Sequence, residues 1–206
     1  MDVYFSADVE TDGPIPGPYS MLSLAIVYAG TYDGETFSRP GVYNQFIYRE
    51  LKPISAHYQP EALAVNGLDR GRLLQTGEDP AQAMTIAAEW VRQIAGHGNP
   101  VLVAYPLGFD WTWLYWYFVQ YSRIGSPFDY SRGFDIKTAV AVKTGRTLSS
   151  SSRSKLPDFI RSHRPHTHNA LDDAIEQAEV FANVFGWEGG ALGGHRSTTE
   201  VHRRED

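Results

Sequence analysis

An alternating pattern at the start of the chain fixes its first element. Across residues 3–10 the side chains alternate between two faces, with apolar Val3 and Phe5 on one and acidic Asp8 and Glu10 on the other. A period of two is typical of a β-strand. Glycines and prolines between residues 13 and 18 then force an irregular loop. The sequence therefore predicts a strand that ends in two carboxylates and is followed by a loop.

The patterns that follow predict a mixed α/β domain. Residues 21–29 and 42–51 have strand patterns and short connections, which predicts an antiparallel meander. Helical spacing and capping signals then alternate with two short strand patterns. Helices are expected at residues 59–65, 80–95 (capped by Asp79), 109–121, up to 142, and 169–185, strands at 100–105 and 134–136, and a Ser-rich loop at 147–155. We predict an α/β fold with a mixed sheet of about five strands flanked by helices.

The composition excludes several kinds of protein. None of the 206 residues is cysteine, which excludes disulfide frameworks, thiolate metal sites and cysteine nucleophiles. The first residues include an acid and no basic segment, unlike a signal peptide, and no apolar run approaches the roughly 18 residues that span a bilayer. We expect a cytoplasmic protein with no membrane partner, and a polar, Gly-rich tail over residues 187–206.

Asp8 and Glu10 form the first candidate site. Residues two apart on a strand project from the same face, so the two carboxylates lie a few ångströms apart. Their repulsion raises both pKa values unless a cation lies between them. A solvent-exposed strand end is the alternative interpretation. The position before a Gly/Pro loop favours a site, because ligands tend to bind at strand ends in open α/β sheets.

Asp110 is a second candidate. It follows the strand predicted at residues 100–105 and begins the next helix. An acid at that position interacts favourably with the helix dipole, which by itself would explain it. If the two strands are neighbours in the sheet, however, Asp110 comes close to Asp8 and Glu10.

His168 and Asp173 form a third candidate unit. Residues five apart on a continuous helix point about 140° apart, so the pair converges only if His168 lies on the loop before the helix. The helical pattern starts at Ala170, which allows this. A loop histidine above carboxylates suits a general base at neutral pH, and an exposed histidine without a role is the alternative. Asp172 competes with Asp173 but points about 100° away around the helix.

Together these residues indicate phosphoryl hydrolysis. Carboxylate ligands suit Mg²⁺ or Mn²⁺, and two such ions stabilise the attacking and leaving oxygens of a phosphodiester. The net charge of −6 argues against general nucleic-acid affinity, yet residues 132–168 contain eight Lys/Arg against two acids. A solvated surface would explain that stretch equally well. Because it adjoins the candidate site, we expect substrate contacts there, from Arg153, Lys155 and Arg164.

The order of the motifs resembles that of a known family. The runs DVETDG (Asp8, Glu10), GFDW (Asp110) and HNALDD (His168, Asp173) resemble the DEDDh 3′→5′ exonucleases, most closely the branch of ribonuclease T and the proofreading subunits. The run PEALAVNGLD at residues 60–69 also resembles that branch, and the resemblance spans roughly residues 3–185. It implies a ribonuclease H-like fold and an exonuclease domain over residues 1–186.

The resemblance also implies roles for individual residues. The four carboxylates would hold two Mg²⁺ or Mn²⁺ ions, and His168 would take a proton from the attacking water. Thr11 is implied as a contact of the 3′-terminal nucleotide. Members of the ribonuclease T group are often dimers in which the basic patch of one subunit serves the other's site, so we expect a homodimer.

Two features depart from the family pattern. Tyr105 and Pro106 replace the His-Asn pair that usually precedes Phe-Asp in the second motif, which removes expected polar support from Asp110. Ser23 stands on the second strand where the family usually has an acid. These changes indicate a divergent subfamily. Among many aromatic residues that must form the core, Tyr105 and Trp111 are the ones that we expect to stack on bases.

The sequence thus predicts an enzyme that shortens single-stranded nucleic acid from its 3′ end and releases nucleoside monophosphates, with RNA favoured over DNA. A proofreading-type DNA exonuclease that acts with a polymerase is one alternative, and a non-catalytic nucleic-acid-binding module is another. All five catalytic side chains of the family pattern are present, which disfavours a module that only binds.

Overall fold

The computed structural model describes residues 1–187. Over this range the strands are β1 (Asp2–Thr11), β2 (Met21–Tyr32), β3 (Phe37–Ser38), β4 (Phe46–Glu50), β5 (Asn99–Ala104) and β6 (Gly133–Asp135). The helices are α1 (Pro60–Asn66), α2 (Arg70–Thr76), α3 (Pro80–Ala95), α4 (Leu107–Tyr121), α5 (Ile136–Thr144) and α6 (Ala170–Gly186).

Strand β1 lies at the centre of a mixed sheet. It pairs antiparallel with β2 and parallel with β5. Strand β6 continues the sheet beyond β5 in parallel, whereas β3 and β4 both pair antiparallel with β2. The predicted meander and the mixed sheet flanked by helices are confirmed, with six strands in place of about five.

Helices cover both faces of this sheet. The face that carries Phe5 packs against α3 and α4, with Met84 and Trp113 in the core between them. The opposite face carries Tyr4 and packs against α6, with Phe181 in that second core. Because alternate residues of a strand point to opposite faces, Asp8 belongs to the same face as Tyr4. The first candidate carboxylates are thereby directed toward α6.

Three local predictions differ from the structure. The strand expected at residues 42–51 is shorter, because Val42 is 70% exposed outside the sheet and β4 pairs with β2 only from Phe46 to Glu50. Strand β3 has two residues and α2 buries only Leu73, so neither has a periodic apolar pattern to predict it. The Ser-rich loop contains two 3₁₀ turns, Leu148–Ser150 and Arg153–Lys155.

Helix α3 has the predicted N-cap. The side chain of Asp79 accepts hydrogen bonds from the backbone N–H groups of Ala81 at 2.9 Å and Gln82 at 3.2 Å. Asp79→Ala is expected to lower the free energy of unfolding by about 1 kcal/mol, and Tm by about 2–4 °C, because two helix N–H groups lose their acceptor. Thermal denaturation measures this, with Glu89→Ala at an exposed position of the same helix as the control. Equal Tm values for the two variants would contradict the prediction.

The C-terminal end of the described chain continues past α6. Within residues 1–187, no helix has the length and apolar character that crossing a membrane requires. The tail predicted for residues 187–206 lies outside the described residues, except for Trp187. The ring of Trp187 packs against that of Phe159, with 5.2 Å between centroids.

Candidate active site

Asp8 and Glu10 lie at the end of β1, as the strand pattern predicts. One carboxylate oxygen of each, together with one from Asp173 on α6, forms a group whose atoms all lie within 4.8 Å of one another. Glu10 is 9% exposed and Asp173 is fully buried. The packing of α6 on this face of the sheet therefore brings carboxylates from the two ends of the chain together.

Asp110 joins them from the first turn of α4. It is 5% exposed, and its Oδ1 accepts a hydrogen bond of 3.2 Å from the backbone N–H of Val9. Strands β1 and β5 are parallel neighbours, so the segments that leave their C-terminal ends meet at one edge of the sheet. The sequence analysis expected Asp110 to lie near Asp8 and Glu10 only if these two strands were neighbours in the sheet, and in the structure they are.

The loop before α6 places His168 beside Asp173. Asn169 caps the helix by accepting hydrogen bonds from two backbone N–H groups, so His168 lies outside it, with a φ of 56°. The backbone N–H groups of Thr167 and His168 each donate to a carboxylate oxygen of Asp173 at 2.9 Å. Asp172 is exposed and accepts from the Thr167 hydroxyl at 3.3 Å. Helix geometry thus separates the two aspartates as predicted.

Burial makes the carboxyl groups of Asp8, Glu10 and Asp110 hard to ionise, and repulsion between neighbouring carboxylates adds to this for Asp8 and Glu10. Burial is the main reason that the pKa of Glu10 rises to about 8, and the charges of Asp173 and Asp110 add to it. Burial also raises the pKa of Asp110 to about 7. The pKa of Asp8 lies well above its ordinary value, through burial first and then through Asp110 and Glu10. A divalent cation would offset both causes, and an all-oxygen donor set suits Mg²⁺ or Mn²⁺. The four carboxylates fit such an ion.

Two residues that the sequence analysis did not select contact the cluster. Gln177 is buried on α6, and its Nε2 donates to Oδ1 of Asp8 at 2.7 Å. Nδ1 of His166 lies 2.9 Å from Oδ2 of Asp173. Gln177 is one helical turn beyond Asp173, a spacing that could have indicated it. No local pattern distinguishes His166 from the other histidines of its loop.

A pocket of about 640 Å³ opens over the carboxylates and His168. Thr11, Tyr105 and Arg153, three of the predicted substrate contacts, are part of its lining. The Thr11 hydroxyl donates to the carbonyl of Gly13 at 2.8 Å, and the Tyr105 hydroxyl donates to the carbonyl of Ser151 at 2.6 Å. Both hydroxyls therefore already have protein partners.

The other three predicted substrate contacts are not among the residues that line this pocket. Trp111 stacks on Tyr115, with ring centroids 5.2 Å apart and an angle of 12° between the rings. The Nζ of Lys155 donates to the carbonyl of Ser149 at 3.3 Å. Nε of Arg164 forms an ion pair of 2.8 Å with Glu179.

Other side chains, which the sequence analysis did not select, contribute to the lining of this pocket. Phe109 precedes Asp110, lines the pocket and is 43% exposed. Val65 of α1 and Lys137 of α5 also contribute to the lining. The sequence analysis did not select Phe109, and its place in the first turn of α4 leaves its ring exposed at the pocket. Phe109 and Val65 therefore add two large, exposed apolar side chains to the wall of the pocket.

Comparison with known proteins places the chain in a family. No protein-family model matches it. Over 181 residues it is 32% identical to a protein of Escherichia coli named 3′-5′ DNA exonuclease Cap18, and the alignment covers 87% of this chain and 90% of the relative. The chain belongs to the DEDDh 3′→5′ exonuclease family. It is also 25% identical over 193 residues to ribonuclease T of Shewanella denitrificans, across 91% of this chain and 81% of that protein. The exonuclease is accordingly a hydrolase that acts on nucleic acid from the 3′ end.

Solved structures share the fold of this exonuclease. Cell-death related nuclease 4 superposes with a TM-score of 0.63 at 13% identity, over 90% of this chain and 64% of that one. A 3′-exonuclease solved for its recognition of a histone mRNA stem-loop gives a TM-score of 0.64 at 10% identity, over 91% and 65%. The chain thus spans just under two thirds of these longer proteins. The ribonuclease H-like fold implied by the sequence is confirmed.

Proposed function

We propose that the exonuclease hydrolyses the last phosphodiester of single-stranded DNA with two Mg²⁺ or Mn²⁺ ions held by Asp8, Glu10, Asp110 and Asp173. The observation that carries this proposal is the convergence of three carboxylates within 4.8 Å beside a buried Asp110, in one open pocket. When bound, such ions supply positive charge to the attacking and leaving oxygens of the phosphodiester.

Side chains and backbone groups of the protein supply the general base and orient the carboxylates. We propose that His168 is the general base that takes a proton from the attacking water, because it lines the pocket on a loop next to Asp173. The backbone N–H groups of Thr167 and His168 fix the orientation of the Asp173 carboxylate. Gln177 does the same for Asp8. These hydrogen bonds reduce the rearrangement that the reaction would otherwise require.

The six predicted substrate contacts form two groups, those that line the pocket and those that do not. We propose that Thr11, Tyr105 and Arg153 contact the terminal nucleotides, because all three line the pocket. The Thr11 hydroxyl donates its proton to the carbonyl of Gly13 and can still accept a hydrogen bond from the terminal nucleotide. Trp111, Lys155 and Arg164 could be reached only by nucleotides farther along the strand. The homodimer also stays a proposal, which light scattering of the purified protein would test.

DNA is proposed ahead of RNA, unlike the expectation from the sequence alone. The relative with 32% identity is named as a DNA exonuclease, and the relative with 25% identity is a ribonuclease. RNA trimming is the second candidate, and the similarity to ribonuclease T supports it. The contact that decides between the two is the one made to the 2′-OH of RNA.

A digestion panel tests the proposed function. Single-stranded DNA, single-stranded RNA, duplex RNA with a 3′ overhang and dinucleotides, all labelled at the 5′ end, are incubated with Mg²⁺, with Mn²⁺ or with a chelator. We expect a ladder that shortens from the 3′ end, fastest on single-stranded DNA, and no product with chelator because the carboxylates alone repel the substrate. Either added ion should restore cleavage. Internal cuts, or full activity in chelator, would refute the proposal.

A further inference from the structure

Arg153 brings a positive charge into the pocket. Burial raises the pKa of Asp8 and of Asp110, and the charge of Arg153 works against that rise. Its Nη2 donates to the carbonyl of Tyr105 at 3.3 Å, and the guanidinium carbon lies 5.5 Å from the centre of the Tyr105 ring. Its Nη1 contacts the ring of His166. The guanidinium is therefore held at a defined place beside the carboxylates.

Glu176 is an acidic neighbour of this guanidinium. It follows Asp173 by three residues on α6, is 5% exposed, and its Oε2 lies 3.5 Å from Nε of Arg153. Burial raises the pKa of Glu176, and the charge of Arg153 lowers it. A buried carboxylate is costly unless it is paired. Among the described residues neither Oε2 nor Nε has a hydrogen-bond partner, so the ion pair between them is the contact that compensates their burial.

We propose that Glu176 is a positioning residue that holds Arg153 in the pocket, where the guanidinium binds a non-bridging oxygen of the substrate's backbone phosphate. The inference rests on the proposed function, because that function places the backbone in this pocket. A guanidinium presents its donors in a fixed fork that matches phosphate geometry. Its long side chain has many rotamers, however, and a buried acid on a rigid helix removes most of them. The substrate then meets a cation that is already oriented.

A second pair on the same helix provides the matched control. Glu179 follows Glu176 by three residues on α6 and forms an ion pair with Arg164 at 2.8 Å. Neither of these two residues is part of the pocket lining. The two pairs share the helix, the residue types and the loop that supplies the arginine. They differ in whether the arginine faces the candidate active site.

Steady-state hydrolysis of a 5′-labelled oligonucleotide tests the role of Glu176. Glu176→Gln keeps the size of the side chain and removes its charge. We expect KM to rise about tenfold while kcat stays within about twofold, because phosphate binding is weakened and the reacting groups are untouched. Glu179→Gln should keep both wild-type constants when the oligonucleotide is short enough to fill only the pocket and does not extend to Arg164. An unchanged KM in Glu176→Gln, or a fall in kcat without a rise in KM, would overturn the proposal.

A second comparison stays informative even if Glu176→Gln fails to fold. Arg153 is half-buried on a 3₁₀ turn and belongs to neither apolar core, so Arg153→Ala leaves both cores intact. Burial raises the pKa of Glu176, and protonation of its carboxyl group lessens the cost of leaving it unpaired. An oligonucleotide with neutral methylphosphonates at its last linkages should bind the wild type more weakly than the normal strand does. Fluorescence anisotropy should show a smaller ratio between the two strands for Arg153→Ala, and an equal ratio overturns the proposal.

The double variant shows whether Glu176 acts through Arg153. If it does, adding Glu176→Gln to Arg153→Ala raises KM no further, whereas additive effects would mean that the two residues act independently and would overturn the proposal. The wild-type protein separates this inference from the function on which it rests. A wild type that does not shorten the 3′ end refutes the proposed function. An active wild type with an insensitive Glu176→Gln refutes only the positioning role.

Discussion

Asp8→Asn is expected to lower kcat for nucleotide release by about 1000-fold. The substitution keeps the shape of the side chain and the acceptor for Gln177, and removes one charge from the three-carboxylate cluster. Metal-ion catalysis contributes several kcal/mol of transition-state stabilisation, and a loss of about 4 kcal/mol corresponds to that factor. Initial rates on a 5′-labelled oligonucleotide with saturating Mn²⁺ measure the effect.

The control for this substitution is Asp172→Asn. Asp172 is an exposed acid next to Asp173, and it is not part of the cluster. Its replacement should leave the rate within about twofold of the wild type, as for surface positions in general. Equal activity of Asp8→Asn and the wild type would contradict the assignment of Asp8 as a metal ligand.

Asp8→Asn should also stabilise the metal-free protein at alkaline pH. Burial in the folded chain raises the pKa of Asp8 well above its ordinary value, and the charges of Asp110 and Glu10 add to the rise. Between the ordinary and the raised pKa the folded chain holds a proton that the unfolded chain has released, so the free energy of unfolding falls as pH rises through this window. One fewer charge lessens the penalty, and a gain of about 1 kcal/mol corresponds to about 2–4 °C in Tm. Melting in chelator at pH 8.5 checks this, and a lower Tm for Asp8→Asn would contradict it.

His168→Ala is expected to reduce kcat by about 10²–10⁴-fold, the usual contribution of a positioned general base. The backbone N–H of His168, which donates to Asp173, is retained, so the metal-binding carboxylate keeps its orientation. We therefore expect the concentration of Mn²⁺ that gives half-maximal activity to change little. Single-turnover rates, measured across a titration of Mn²⁺, separate the two effects.

His163→Ala is the matched control for the histidine. His163 is exposed in the same segment and does not belong to the pocket lining. Its removal should leave the single-turnover rate unchanged. A variant without His168 that hydrolyses DNA at the wild-type rate would show that another group takes the proton, and His166, beside Asp173, would be the first to examine.

Local geometry explains why some of the site could be predicted. A strand has a period of two, so Asp8 and Glu10 share a face in any fold that keeps β1. The cap at Asn169 fixes where α6 begins, which places His168 outside the helix and Asp173 in its first turn. The same signals predicted α3 and its Asp79 cap. Each of these conclusions needs only residues close together in sequence.

Helix α2 and strand β3 were not predicted, because they depend on contacts between residues far apart in sequence. Helix α2 buries only Leu73, and β3 has two residues that exist as a strand only because β2 lies beside them. Their stability comes from tertiary packing, which leaves no periodic pattern in the sequence. The strand at residues 42–51 was predicted too long for a related cause, because its β-branched and aromatic residues continue beyond the part that pairs with β2.

The sequence by itself determined the fold class, the family resemblance, the shared face of Asp8 and Glu10, and the positions of His168 before α6 and Asp173 inside it, because these depend on short-range periodicity and capping. Only the tertiary structure decided that Asp110 joins them, since that required β1 and β5 to be neighbours, a pairing between residues about a hundred positions apart.

The surroundings of the carboxylates were also decided by long-range packing. The basic stretch gave no sign of which cations face the pocket, because that depends on how two 3₁₀ turns and α6 pack around Tyr105. The result places Arg153, paired with Glu176, in the lining of the pocket and leaves Arg164, paired with Glu179, outside that lining. The number of basic residues in a segment does not show which side chains face the site, because the fold sets their orientation.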